Sequence, residues 1–241
     1  MSTRPLTGQT LSAVAPAGRP RWTSLTAAGP RTSRAPTLAG AADARELRPV
    51  STGSPRFYFG AMSPYSWFTA ERIGEVLPEA SWHGVLLQAV FKAAGRTSWG
   101  LTEDRERGLA DCEERARAHG LGPIEWPDPW PTSDLLIARA MTYADMRERL
   151  PEFALQAMRM AFREGAVLSE PAVVREAAAR SGLDADALEA AVHEQPVKDA
   201  LRAHTEEAIE LGVFGAPTVI VGGELFWGDD RLRDAAAASA A

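Results

Sequence analysis

The sequence predicts an α/β fold in which a β-α-β unit near residue 56 and a β-β-α unit near the C-terminus are separated by a run of helices. Three observations point to it. A short aromatic run, Arg56–Phe59, is followed by a helical apolar period and then by a second apolar run, Trp82–Val90. Near the other end, Gly222-Gly223 joins two short apolar runs in the manner of a two-residue hairpin turn. Between these ends, segments with apolar residues spaced three and four apart read as successive helices.

The elements follow in order. Arg56–Phe59 reads as a short buried strand that Gly60 ends. From Ser66 to Leu77, Phe68, Ile73, Val76 and Leu77 form one helical face, and Pro78 stops the helix. Trp82–Val90 is expected to be a second strand, apolar enough to be covered on both faces. A right-handed crossover then sets the two strands parallel. Thr102–His119 is charged and helical, with Leu109, Cys112 and Ala116 on one side. Alternate prolines in Trp126–Pro131 exclude a helix there, because proline removes donors and fixes φ.

Ser133 is expected to cap a helix running to about Arg149. Pro151 begins another, carrying Phe153, Ala157, Met160 and Ala161. Ser169 is expected to cap a short helix with Pro171 in its first turn, and Asp184 caps one more. Pro196 opens a longer helix that ends at Gly212. Thr218–Val221 and Glu224–Trp227 form the hairpin, and Gly228-Asp229-Asp230 leads into a last helix. The order β-α-β, helical insert, α, β-β-α is a thioredoxin fold with an inserted all-helical domain. Residues 55–92 and 196–241 are expected to form the thioredoxin-like domain, and 93–195 the helical insertion.

Residues 1–54 differ in kind. They hold seven arginines against Asp43 and Glu46, are rich in Ala, Pro, Thr, Ser and Gly, and carry no sustained apolar period. Such a segment buries too little surface to fold alone, so a disordered tail is expected. It resembles a transit peptide superficially and lacks the apolar centre of a secretory signal. Across the whole chain the formal charge is −6 and no basic stripe with interleaved aromatics occurs, which argues against nucleic acid. No window approaches the roughly 18 uncharged apolar residues of a membrane span. Cys112 is the single cysteine, so no intramolecular disulfide forms, which fits a reducing compartment and a cytoplasmic location.

Chemistry concentrates at Ser63-Pro64-Tyr65-Ser66, where the first strand turns into the first helix. In the thioredoxin architecture that position carries Cys-x-x-Cys, and Gly215-Ala216-Pro217-Thr218 matches the cis-proline loop that faces it. Both cysteines are serine here. The site is shaped for a thiolate that the protein does not supply, so the sulfur comes from elsewhere; a low-molecular-weight thiol such as glutathione is the candidate cofactor. Helix N-terminal amides favour a sulfur anion, and the Ser63 hydroxyl can donate a charge-assisted hydrogen bond to it. The plainer reading of Ser63, and of Ser66, is a helix cap. With Pro217 cis, Ala216 can present its N–H and C=O to an extended ligand that pairs like an added strand. Asp229 and Asp230 can accept a ligand's amine or simply cap the last helix.

Other residues carry less. His83, His119, His193 and His204 show no metal spacing, so no metal is expected. No histidine lies near Ser63 in sequence, which disfavours a Ser–His hydrolase. Cys112 sits on an apolar helix face as a structural thiol. Trp99, Trp126 and Trp130 read as packing, or as the lining of an aromatic substrate pocket between the domains.

The segments Phe57–Phe59, Ser63–Trp67, Phe91–Gly95, Trp126–Pro131, Gly212–Thr218 and Leu225–Leu232 together resemble the DsbA-like group. Within it they are most similar to 2-hydroxychromene-2-carboxylate isomerase and kappa-class glutathione transferase, over roughly residues 56–235. The resemblance implies glutathione as cofactor, a small-molecule substrate and often a homodimer. It implies that Ser63 stabilises the glutathione sulfur, that Ala216 before Pro217 holds the peptide part, and that Asp229 and Asp230 meet the glutamyl end. Where the family's Lys-x-x-Gly is followed by an asparagine, this chain has Lys92 and then Arg96. Arg96 either binds a ligand carboxylate or is a surface residue, and Lys92 divides the same way. Such a site serves a thiol-dependent isomerase or transferase acting on an aromatic or unsaturated molecule. The alternatives are a disulfide oxidoreductase homologue lacking its Cys-x-x-Cys, and a thiol- or peptide-binding module without turnover.

Overall fold

A strand needs partners for its backbone N–H and C=O groups, and Arg56–Phe59 (β1) finds one on each side. In the computed structural model, which describes residues 53–240, β1 pairs in parallel with Ser81–Gly84 (β2). On its other edge it runs antiparallel to Thr218–Val221 (β3), which pairs antiparallel with Glu224–Trp227 (β4). The sheet order is β2-β1-β3-β4, with Phe57 opposite both Trp82 and Val219. Gly222 (φ +57°) and Gly223 (φ +92°) make the hairpin turn, a backbone that only glycine adopts without strain at both positions. The expected tail, 1–54, lies outside the described residues apart from Gly53 and Ser54.

Strand alternation divides the core into two faces. Phe57, Phe59, Val219, Val221 and Phe226 pack with Trp67, Phe68 and Ile73 of helix α1 (Pro64–Val76). Tyr58 and Ile220 face the other way, against Leu87 and Val90 of α2 (Leu87–Ala93) and against Ala208.

The strand expected over Trp82–Val90 is corrected here. It ends at Gly84, and Leu87–Ala93 is helix. Side chains from distant segments start that helix: Thr205 Oγ1 accepts from Leu86 N at 3.1 Å, and Asp134 Oδ2 from Gln88 N at 3.2 Å. Leu86 at the cap position makes no side-chain cap bond of its own. Buried Leu87 and Val90, three apart, form its inward face.

Between α2 and α8 (Gln195–Glu210) come a 3-10 turn at Trp99–Leu101, then α3 (Arg105–Ala118), α4 (Leu135–Met146), α5 (Leu150–Glu164), α6 (Pro171–Arg180) and α7 (Ala185–Ala191). The caps differ in detail from expectation. Asp134, not Ser133, holds the cap position of α4, although Ser133 Oγ still accepts from Leu135 N at 3.4 Å. Glu170, not Ser169, precedes α6. Asp184 does cap α7, accepting from Asp186 N at 2.9 Å and Ala187 N at 3.1 Å. After α8 the chain turns at Gly212 (φ +87°), and α9 (Leu232–Ser239) closes the fold.

The insert is tied to α1 by a buried carboxylate. Glu71 takes a two-pronged contact from Arg159 of α5, at 2.9 and 2.7 Å, and a third from Trp67 Nε1 at 2.9 Å. Burial raises the Glu71 pKa, but these donors outweigh it and hold the carboxyl below its ordinary range. Among the described residues no helix is long and apolar enough to cross a membrane.

Candidate active site

Ser63 precedes α1 with extended backbone (φ −96°, ψ 119°), as an N-cap requires. Its Oγ accepts from Ser66 N at 3.2 Å, and Pro64 occupies the first turn, where a missing N–H costs nothing. Ser63 therefore sits where the dipole of a 13-residue helix favours negative charge, with Tyr65 N–H the first-turn amide that has no acceptor among the described residues. Across from it the Ala216–Pro217 bond is cis, and Ser63 Oγ lies 3.5 Å from Ala216 O. That distance is at the edge of hydrogen bonding, so the hydroxyl proton is weakly held and free to turn to a better acceptor.

The cis loop is folded by its own contacts. Thr218 Oγ1 donates to Gly215 O at 2.8 Å, and Gly228 N donates to Pro217 O at 3.0 Å. Ala216 is half-buried, and among the described residues its N–H has no acceptor. One turn inside α1, the buried hydroxyls of Ser66 and Thr69 also lack partners.

An aromatic wall flanks Ser63. The Tyr65 ring meets Trp99 at 6.3 Å, Trp99 meets Trp130 at 5.0 Å, and Trp130 meets Trp126 at 4.9 Å. Trp130 Nε1 donates to Met62 O at 3.1 Å, which fixes this insert aromatic beside the residue preceding Ser63. Trp99 and Trp126 are only half-buried, so the wall keeps some apolar area open.

The acidic pair divides. Asp229 is 2% exposed and receives Arg115 Nη1 at 2.7 Å, His119 Nε2 at 3.1 Å and Arg72 Nη2 at 3.6 Å. Asp230 is exposed, with Oδ1 3.9 Å from Arg115 Nη1. Arg115 also binds Asp111 at 2.9 Å, and Asp111 accepts from Tyr65 Oη at 2.8 Å. A polar chain thus runs from the Tyr65 hydroxyl to the last helix. Burial alone lowers the Arg115 pKa; the carboxylates of Asp229 and Asp111 reverse this and raise it. The sequence shows the Asp111–Arg115 spacing on α3, but nothing local points to Arg72, His119 or Arg115 as partners of Asp229.

Lys92 and Arg96 are both exposed, at the end of α2 and just beyond it. The Arg96 guanidinium lies over the Trp227 ring at 4.8 Å and the Phe214 ring at 5.6 Å. Cys112 is fully buried in α3, and burial pushes its thiol up to about 12. Among the described residues no group of His, Cys, Asp and Glu could hold a metal. A surface depression of about 450 Å³ between α5 and α6, lined by Arg149, Arg159 and Arg180, includes none of the Ser63 site.

Comparison with known proteins bears on this arrangement. The family model of the DSBA-like thioredoxin domain matches residues 56–239. The chain is 25% identical over 189 residues to 2-hydroxychromene-2-carboxylate isomerase of Pseudomonas putida, covering 73% of this chain and 89% of that one. It is 26% identical over 183 residues to the enzyme of the same name from Sphingobium xenophagum, covering 73% and 92%. A solved 2-hydroxychromene-2-carboxylate isomerase is similar in structure, with a TM-score of 0.63 and 23% identity over 74% of this chain and 90% of that one. The cytosolic disulfide reductase DsbM from Pseudomonas aeruginosa, solved with GSH, shares the fold at a TM-score of 0.53 and 15% identity, over 77% and 95%.

Proposed function

This chain belongs to the DsbA-like thioredoxin family, and from that premise we propose that it is an enzyme using a diffusible low-molecular-weight thiol, with glutathione the type compound, to isomerise an unsaturated aromatic small molecule. One observation carries the reading. Ser63 stands at the N-cap of α1, facing the cis Ala216–Pro217 loop, while the chain's single cysteine is sealed inside α3. Disulfide exchange needs an accessible thiolate, and Cys112 is neither accessible nor ionised. That disfavours an oxidoreductase acting through its own sulfur.

The residues present suit a peptide thiol. The free Ala216 N–H and its weakly engaged C=O offer one rung of a strand-like pairing. In this reading the Ser63 hydroxyl, with the open Tyr65 N–H of the first turn of α1, donates to a sulfur anion. The exposed Asp230 is the acidic group open to a ligand amine; Asp229, already held by Arg115, Arg72 and His119, orients the segment that carries it. Lys92 and Arg96 supply positive charge on the α2 side. When bound, the thiol supplies a nucleophile that adds reversibly to an unsaturated carbon and leaves, or stays attached in a transferase. Half-buried Tyr65 and Trp99, backed by the buried Trp130, give an aromatic substrate an apolar surface beside Ser63 and limit water there. The isomerase names of the curated relatives and the GSH in the DsbM structure support this choice of chemistry.

The test is turnover of 2-hydroxychromene-2-carboxylate with and without glutathione, followed by absorbance. Glutathione-dependent conversion is expected. Binding of glutathione without turnover of any unsaturated aromatic acid would leave a binding module instead.

A further inference from the structure

Arg96 and Trp227 place two hydrogen-bond donors beside the cis-proline loop. A Cβ on Gly215 would lie 2.7 Å from the Trp227 indole nitrogen and 3.5 Å from Arg96 Nη1. The guanidinium carbon lies over the rings of Trp227 and Phe214, at 4.8 and 5.6 Å from their centres, and these residues are 43% and 37% exposed. A guanidinium over a ring face spends no hydrogen-bond acceptor on it, and its planar fork matches a carboxylate in two-point geometry. Among the described residues neither the Arg96 guanidinium nor the Trp227 indole has a hydrogen-bond or ion-pair acceptor, and Lys92 has no carboxylate partner either. This contrasts with Arg72, Arg115 and Arg159, all of which face carboxylates.

The position is informative. Gly215 adjoins Ala216, whose carbonyl lies 3.5 Å from Ser63 Oγ. At about 3.8 Å per residue step, this chain of contacts puts the donor pair no further than on the order of 10 Å from Ser63. An extended tripeptide spans about the same length.

We propose that Arg96 and Trp227 form a carboxylate-binding station at the rim of the Ser63 site, selecting ligands that carry a carboxylate within about 10 Å of the reacting sulfur or carbon. This rests on the thiol-dependent reading above and names its specificity. The carboxylate belongs either to the thiol or to the organic substrate, and the station's chemistry is the same for both.

The experiment has two arms, run on the full chain with wild type, Arg96→Lys and Arg96→Met. In the first, calorimetry compares S-methylglutathione with its glycyl ethyl ester; neither compound has a thiol to ionise, so Ser63's role does not enter. In the second, kinetics at saturating glutathione compare 2-hydroxychromene-2-carboxylate with its amide. The wild type is expected to favour the free acid by about tenfold or more in one arm, as losing a charge-assisted contact implies. Arg96→Met should abolish that preference and Arg96→Lys keep part of it. Loss in the first arm assigns the carboxylate to the thiol, and loss in the second assigns it to the substrate. Acid preference absent from the wild type in both arms, or unchanged in Arg96→Met, overturns the station. Failure of the thiol reading is seen separately, as glutathione whose acidity on binding ignores Ser63→Ala while the acid preference persists.

Discussion

Arg115 and Asp229 meet at 2.7 Å between α3 and the turn that opens the last helix, although 114 residues separate them. Arg72 and His119 converge on the same carboxylate, and the Arg115 guanidinium also lies 5.4 Å from the centre of the Tyr65 ring, two residues from Ser63. Asp229 therefore couples the helical insert, α1 and the C-terminal segment through one buried charge. Removing a buried charge strands its partners, and here Arg115 is a third exposed, which softens the cost.

Asp229→Asn should lower stability by about 2–4 kcal/mol in urea unfolding, whereas Asp230→Asn should stay within about 0.5 kcal/mol. Equal effects of the two substitutions would show that Asp229 is not the anchor.

Acid should weaken the fold through His83. Burial, together with His204 and Arg56, depresses its pKa to about 4, whereas an unfolded histidine titrates near 6.5. Between those values the unfolded chain binds a proton that the folded one refuses, so stability is full above pH 6.5 and falls as pH drops toward 4. The expected loss from this group is about 2 kcal/mol between pH 7.5 and 5. His83→Gln should remove about that much of the pH dependence. A wild type and variant with parallel pH profiles would contradict the assignment.

Cys112 should be chemically silent. Its thiol is fully buried and pushed up to about 12, so a thiol reagent should modify it only in denaturant. Cys112→Ala should keep glutathione-dependent activity within about twofold while costing about 1 kcal/mol of packing. Abolished activity in a folded Cys112→Ala would return the oxidoreductase reading.

Gly215→Ala probes the cis loop's surroundings. The added Cβ would come within 2.7 Å of the Trp227 indole nitrogen, but that ring is exposed and can move aside. The fold should lose no more than about 1 kcal/mol, while the preference for a free acid over its neutral derivative, in whichever ligand carries the carboxylate, should weaken about tenfold with Trp227 and Arg96 displaced. An acid preference unchanged in both ligands would detach this loop from the ligand.

Much of this was legible beforehand where the signal is local. Ser63 and Pro64 announce the start of α1, Asp184 that of α7, and Gly222-Gly223 the hairpin, because each acts on its own backbone within a few residues. Trp82–Val90 is a short apolar run that fits strand or helix equally, so the sequence alone does not separate β2 from α2. What decides it are Thr205 and Asp134, capping from 119 and 46 residues away. The same distance hid the Asp229 cluster. Acidic residues at a helix start read as caps or ligand contacts, and only the folded chain brings Arg115 and His119 to them.

The most direct measurement is the acidity of glutathione's thiol when bound, read from thiolate absorbance across pH. A free thiol titrates near 8.5; in the wild type the bound thiol should fall by about one unit or more, and in Ser63→Ala most of that fall should disappear. Bound glutathione that titrates like the free compound, or identically in the two proteins, would contradict the role given to Ser63 and the helix it caps.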